Sequence, residues 1–390
     1  VARSRTIVVA GAGIGGLAAA LMLARVGYRV VVCERTPKLE AVGAGIQLSP
    51  NATRALAAIG VIDALRERAV AAHALVVGDG WSGSAIVQAP LAAVDAPWLL
   101  AARADLQEVL YSAAADHPDI ELEFGLVLAD VAQHPRGVTA FAHGRSGGTE
   151  IPGLALVGAD GLWSTTRTFV HPGIKPIFHG LVAWRALVPA RRLPAPLRDP
   201  VVRLWLGPGG HLVHYPVAGG SDINVVAIFS DHWQSEDWSG PAAAADLPEI
   251  FGGWGEAPRG VLAAAGEFRR WSLYDLPTLS RWGADAVTLL GDAGHAMLPF
   301  LAQGGAAALE DAVVLGRQLE GASDVVPALR AYERARMSRT RRLQAASRLT
   351  GFFYRVGGQL AVARNFALRA LGGGYVVRRN EWIYRYDARV

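Results

Sequence analysis

The chain has 390 residues, a hydrophobic share of 52% and a formal net charge of +4, enough for two or three domains with ample cores. Its one cysteine, Cys33, excludes an internal disulfide framework and any multi-cysteine metal site; no metal is expected, and the reducing cytoplasm is the expected compartment. Only Lys38 and Lys175 are lysines, so the basic balance reads as an arginine bias that favours small anions, and no nucleic-acid partner is expected.

Residues 6–35 read TIVVAGAGIGGLAAALMLARVGYRVVVCER. The β-branched run Ile7 to Val9 meets Gly11, Gly13 and Gly16. An Ala- and Leu-rich stretch follows, and a second apolar run ends at Glu34. This predicts strand, glycine turn, helix, strand and acid. Gly11 permits the tight turn, Gly13 lets backbone approach a pyrophosphate, and Gly16 packs helix on strand. The helix start then favours a phosphate, and Glu34 stands where a carboxylate accepts bonds from a ribose. The motif alone leaves FAD and NAD open. The uncharged segment 6–24 has the length of a membrane span, but its glycines and the strand that follows count against one. Cys33 alternates within the second strand and reads as a core residue.

Next comes GAGIQLSPNATRALAAIG, residues 43–60, where Gly43 and Gly45 suit a close backbone approach. Ser49 or Asn51 would cap a helix near Ala52. Residues 74–78 and 84–88 read as strands, and 99–115 as a helix carrying Arg103 and Asp105. Strands near 120–128, 137–142 and 154–159 follow. The last runs into Gly158-Ala-Asp160-Gly161, an acid at the carboxyl end of a buried strand; the competing reading is an Asp-Gly turn with a helix cap.

From about Gly173 the texture changes to short alternating strands at 180–188, 201–206, 211–217 and 223–229. Pro208-Gly209-Gly210 marks a hairpin between the middle two. Residues 241–266 read as an exposed helix and 267–274 as another strand. This half is expected to be an antiparallel sheet. The parallel texture returns at Asp285: a strand over 286–290 ends in Gly291-Asp292. A loop through Pro299 leads to Gln303-Gly304-Gly305, which opens a helix to about Leu319. Residues 325–371 read as mostly helical, with Arg334, Arg336, Arg339, Arg341 and Arg342 on a solvated face. Trp382, Tyr384 and Tyr386 suggest a docked tail.

Three elements now stand in order: Gly11-x-Gly13-x-x-Gly16, Asp160-Gly161 and Gly291-Asp292. Together they resemble the single-component flavoprotein aromatic hydroxylases, the para-hydroxybenzoate-hydroxylase-like FAD monooxygenases, over nearly the whole chain. GAGIQLSPNATRAL, Leu301-Ala302-Gln303-Gly304, Leu309-Glu310-Asp311-Ala312 and the aromatic tail look most like salicylate, 3-hydroxybenzoate and 6-hydroxynicotinate hydroxylases. The resemblance implies an α/β fold. A Rossmann-type FAD-binding domain (1–172 and 285–320) would carry an inserted antiparallel substrate domain (173–284) and a helical C-terminal region (321–390).

It further implies tightly bound FAD. Gly11, Gly13, Ile14, Gly15 and Gly16 would lie at its pyrophosphate, Glu34 at the adenosine ribose, and Asp292 at the ribityl or pyrophosphate region. Arg103 and Asp160-Gly161 would also contact it, and Pro299 to Gly305 would run along the flavin, where the helix N-terminus supplies N–H donors. Arg35, Gly45 and Val127 are further cofactor-binding candidates. With no second dinucleotide motif, NADH or NADPH would bind transiently. The implied reaction is hydroxylation of a small phenolic or hydroxy-heteroaromatic acid with O2 through a flavin hydroperoxide, by a monomer or homodimer without a membrane partner.

His211, Val213 and Tyr215 share one strand face by period two, while His214 faces the other way and reads as structural. His211 and Tyr215 lie about 13 Å apart along the strand and could bracket a ring from two sides. His211 is the candidate base, with Tyr215 and Gln303 as positioning groups. Turn capping for His211 and core packing for Tyr215 compete with these roles. Arg185 and Arg203 are both open as carriers of a substrate carboxylate. Two other readings remain: a flavin hydroxylase or epoxidase of a larger apolar substrate at a membrane, and a non-catalytic dinucleotide-binding protein.

Overall fold

The strand Thr6–Ala10 is buried along its whole length, as the centre of a parallel sheet requires. In the computed structural model, which describes residues 5–39, 44–91, 96–145, 147–234, 239–243, 247 and 249–390, it pairs in parallel with Arg29–Glu34 and Ala155–Gly158. Val287–Leu289 lies beyond Ala155–Gly158, and Ile120–Phe124 lies beyond Arg29–Glu34. Gly43 falls outside the described residues. The helix Ile14–Arg25 is buried between this sheet and the helix Gly304–Leu319. A Cβ on Gly15 would come within 2.7 Å of Leu290, and one on Gly316 within 2.9 Å of Met22. Small residues therefore set the separation of the two helices. Cys33 sits inside the sheet at 3% exposure, and burial, with the nearby charge of Glu123, pushes its thiol up to about 12.

The second sheet has eight strands, in the order Ser239–Ala243, Glu267–Asp275, Ile177–Pro189, Asp222–Ser230, Gly210–Val217, Val201–Gly207, Ala74–Asp79 and Ala85–Pro90. Its pairs are antiparallel except where Val201–Gly207 runs parallel to Ala74–Asp79. Two strands from early in the chain therefore complete the sheet formed by residues 177–275. The hairpin turns at Pro208-Gly209. One face of this sheet packs Trp184, Trp205, Leu212 and Phe229 against Phe251 and Trp254. The opposite face carries Leu181, Ala183 and Ile228 and meets Leu298 and Phe300.

Four expectations need correction. Residues 99–102 are a strand, Leu99–Ala102, paired with Gly45–Leu48, and the helix begins at Arg103. The run Leu-Leu-Ala-Ala carries no periodicity, and its partner strand decides. Residues 241–266 are not one exposed helix. Ser239–Ala243 extends the sheet, Phe251 and Trp254 are buried in its core, and only Glu256–Ala264 is an α-helix. Ser49 occupies the N-cap of Pro50–Ile59 without a side-chain cap bond, because its hydroxyl donates to Asn51 and accepts from Gln303.

The arginines of the long helix Val325–Arg355 are the fourth. Arg336 and Arg339 do not face solvent. Arg336 binds Glu310 at 2.7 Å and Asp311 at 2.6 Å, and Arg339 clasps Glu310 through Nε and Nη2, both at 2.7 Å. Asp311 also accepts from His295 and from the Gly291 N–H. Burial alone would raise its carboxyl; His295 and Arg336 outweigh that and hold it down at about 2. The tail docks on the same group, with Arg339 donating to the carbonyls of Trp382 and Ile383 and lying 3.8 Å from the Tyr386 ring. No described helix is long and apolar enough to cross a membrane.

Removing one partner from a buried charge cluster leaves the others uncompensated. Arg336→Leu is therefore expected to lower the unfolding free energy by about 3–5 kcal/mol, read from urea unfolding. A change below about 1 kcal/mol, the scale of an exposed pair, would show that the cluster is not carrying the fold.

Candidate functional site

Four strands of the parallel sheet end at one edge, and each delivers a singled-out residue there. Thr6–Ala10 runs into Gly11, Arg29–Glu34 ends on Glu34, Ala155–Gly158 leads to Asp160, and Val287–Leu289 leads to Asp292. Carboxyl ends of parallel strands are where open α/β sheets bind ligands. Gly11 takes a φ of +102, and any Cβ there would meet the Ala159 carbonyl at 2.5 Å. A Cβ on Gly16 would strike the Gly11 carbonyl at 1.9 Å, whereas one on Gly13 would meet nothing within 4 Å. Gly11 and Gly16 thus close the turn, and Gly13 borders open space in front of the helix N-terminus. Gly15 belongs to the packing against Leu290 and Ala308, next to the buried Ile14.

Glu34 faces this turn. Its Oε2 accepts from the Ala12 N–H at 2.8 Å, and its Oε1 accepts from Thr36. Arg35 points outward, and Val127 begins a strand one residue after Leu126, which bonds to the Glu34 carbonyl. Arg103 opens its helix with its N–H on the Ala44 carbonyl. One turn later Gln107 reaches the Ala12 carbonyl at 3.4 Å. The sequence reading missed Gln107, although it shares a helix face with Arg103.

Asp160 is occupied at both oxygens, by Ser164 Oγ at 2.5 Å and by the Thr166 N–H and hydroxyl at 2.8 and 3.0 Å. The helix-cap alternative therefore describes its carboxylate, while Gly161 beside it borders open space. Arg167 ties this loop to the next one, donating to the Leu162 and Ala293 carbonyls. Asp292 is different: it is exposed and makes no hydrogen bond among the described residues. Its Oδ1 would lie 3.9 Å from a Cβ on Gly304. The free carboxylate and the helix N-terminus at Gly304-Gly305 therefore lie side by side.

Between them runs the loop from Pro299, with Ala302 in a left-handed conformation. Gln303 is buried, its amide donating to Ser49 Oγ and accepting from Asn51, both at 2.9 Å. It fixes the loop through its side chain and does not present that side chain to a ligand. Gly305 admits Ile46, which a Cβ would approach to 2.9 Å.

His211 and Tyr215 lie on the sheet face that meets this loop. His211 is 2% exposed, its ring 5.5 Å from Phe300 and 5.2 Å from Tyr354, and its Nδ1 has no hydrogen-bond partner among the described residues. Burial, aided by Arg355, pushes its pKa down to about 3, so the ring is neutral at neutral pH. Tyr215 is also buried. Burial raises its phenol, opposed by Arg185 and Gln47. Its ring is pressed against Gly45, whose N–H donates to Asn224 at 2.6 Å. Gly45 thus joins the parallel-sheet half to the second sheet. Asn224, the one polar residue inside the apolar run Ile223 to Phe229, was the unused signal for that junction. His214 faces the opposite core and accepts from Trp205 at 3.3 Å.

The residues fit an extended dinucleotide with a ring system: an open glycine turn, an acid facing it, a second free acid and a helix N-terminus in line. That arrangement suits a dinucleotide of the FAD kind. The chain belongs to the FAD binding domain family, whose model matches residues 4–347. It is 37% identical to 3-hydroxybenzoate 6-hydroxylase 1 of Aquipseudomonas alcaligenes, covering 97% of each chain. It is 32% identical to 6-hydroxynicotinate 3-monooxygenase of Pseudomonas fluorescens, over 88% of this chain and 91% of that one. Among solved structures, HpxO of Klebsiella pneumoniae with FAD and uric acid superposes with a TM-score of 0.86 at 28% identity, covering 96% and 95% of the two chains. A salicylate hydroxylase substrate complex gives 0.82 at 26%, covering 98% and 96%.

Gly13→Ala is expected to keep the fold and lose flavin, because its Cβ meets only the open space. Gly16→Ala is expected to lose the fold itself. Flavin content and circular dichroism of the two variants check this, and a flavin-replete Gly13→Ala would refute it. A second prediction concerns pH. A histidine held at about 3 in the folded state and near its ordinary ~6.5 unfolded binds more protons when unfolded. It stabilises the fold fully above about 6.5, and that stability is lost as pH falls toward about 3. His211→Leu should therefore make the pH slope of urea-unfolding stability shallower below pH 6, by about one proton's worth.

Proposed function

We propose that this protein uses NAD(P)H and O2 to hydroxylate a small aromatic acid carrying a ring hydroxyl, of the hydroxybenzoate or hydroxynicotinate kind. The observation that carries the reading is the neutral, buried His211. It sits with Tyr215 on an apolar sheet face and is set against the loop leading to the Gly304 helix. When bound, FAD supplies the electron transfer from NAD(P)H and the activation of oxygen. The chain's own residues do the rest. Leu181, Ala183, Ile228 and Phe300 exclude water from that face. The neutral His211 ring accepts a hydrogen bond from the phenol, which raises the electron density of the ring, and Tyr215 holds the ring from the other side. The N–H groups at Gly304 and Gly305 face developing negative charge at the loop. The cytoplasm is the compartment in this reading, in keeping with a single buried cysteine.

A cavity of about 420 Å³ favours a second reading, a larger apolar substrate. It continues the same sheet face behind Tyr354 and is lined by Leu75, Val77, Leu204, Leu206 and Phe353. One panel separates the two: NAD(P)H oxidation coupled to product analysis over hydroxybenzoates, aminobenzoates, hydroxypyridine acids and lipid-like arenes. The proposal expects turnover of an acid, and loss of roughly 100-fold or more in kcat/KM on His211→Asn with flavin content unchanged. No stimulation by any acid would sink it.

A further inference from the structure

Arg185 lies in Ile177–Pro189, opposite Val226, which in turn lies opposite Val213. Val213 is midway between His211 and Tyr215. At about 4.8 Å per strand and 3.4 Å per residue, Arg185 is about 10 Å across the sheet from Val213, and the other two residues are about 7 Å to either side of it. Alternation puts Arg185 on the face of Leu181 and Ala183, the face that meets Phe300. Arg185, His211 and Tyr215 are therefore corners of one patch whose floor is Val213 and Val226.

The guanidinium lies 5.1 Å from the Trp271 ring, and its Nε is buried without a hydrogen-bond partner among the described residues. Burial and the like charge of Arg103 push it down to about 10; Tyr215 is the group that opposes them, and no carboxylate among the described residues joins it. Of the other arginines of this sheet, Arg203 and Arg269 are hydrogen-bonded, and Arg270, whose Nε is likewise unpartnered among the described residues, lies opposite Trp184 on the far face. Arg203 holds Asp199 and the Pro196 carbonyl, Arg269 holds Ser239, and Arg270 stacks on Trp233 at 4.2 Å. Arg203 also acts on His214, on the face turned away from His211. A partly buried cation with a spare donor and no acid beside it lacks an anion. Trp271 beside it and Tyr215 on the same sheet face mark where that anion would sit, with Arg103 a second cation nearby.

We infer that Arg185 receives the carboxylate of the aromatic acid and so sets which end of the ring reaches His211. This rests on the proposed aromatic-acid reading. A flat hydroxy acid carries its anion and its hydroxyl at separate points of one ring. The patch offers a cation at one corner and a neutral acceptor at another, and an Arg fork holds a carboxylate in a fixed plane.

The test is ligand titration of the oxidised, flavin-loaded enzyme, followed by the change in flavin absorbance, with a hydroxybenzoate turned over by the enzyme and the matching hydroxybenzamide. Wild type is expected to bind the acid more tightly than the amide. Arg185→Met should weaken the acid about 30-fold or more and leave the amide nearly unchanged, with Arg185→Lys between. Equal weakening of both ligands, or no loss for the acid, overturns the inference. If Arg185→Met fails to hold flavin, Arg185→Lys and the wild-type ratio decide, and a wild type with no preference for acid over amide overturns it. Failure of the underlying reading looks different: no hydroxyaryl acid is turned over by wild type at all.

Discussion

The structure depends on a pair of adjacent buried carboxylates, Glu310 and Asp311, on a helix that is otherwise apolar where it is buried. Two like charges at 0% exposure are untenable alone. Arg336 and Arg339 from the next helix, His295 and the Gly291 N–H from the loop before, and Asn51 from an early helix supply the compensation. The partners come from three different stretches of chain, so satisfying the charges fixes the relative positions of all three. Asn51 passes the constraint to Gln303, and Gln303 fixes the turn into Gly304. Gly291 and Gly304 bracket the free Asp292. The cluster contributes geometry more than net stability, since a buried ion pair often does little better than apolar packing.

That arrangement explains the division of labour between the two sheets. The parallel sheet collects its polar residues at one edge, where backbone turns expose N–H groups. The eight-stranded sheet offers a side-chain surface, apolar over its middle, with polar groups set at its corners. The loop 299–305 lies between the two, and Gly45 against Tyr215 and Asn224 closes the other side. The two sheets thus present different kinds of surface: backbone turns at the first, side chains at the second.

How far the sequence was legible follows the same line. The glycine turn, the Asp160-Gly161 loop and the Gly291-Asp292 loop could be read because each is a local demand on backbone conformation. The hairpin at Pro208-Gly209 was legible for the same reason. What was not legible depended on distant partners. Leu99–Ala102 looks helical until Gly45–Leu48 is beside it. Arg336 and Arg339 look like a solvated face until Glu310 and Asp311, more than twenty residues earlier, are placed against them. Asp160 was singled out as a cofactor contact and Gln303 as a positioning group. Their carboxylate and amide, however, turn inward to Thr166, Ser49 and Asn51, which spacing along the chain does not reveal.

Cys33 has a practical side. It is the one thiol in the sequence, it lies inside the parallel sheet, and its high pKa leaves almost no thiolate at neutral pH. The natural chain is therefore already close to a cysteine-silent background. A single surface cysteine introduced beside the 299–305 loop or on the helix Gly358–Arg379 would take a maleimide dye or a spin label at that position alone. The local environment and motion of that segment could then be followed in solution without first rebuilding the core.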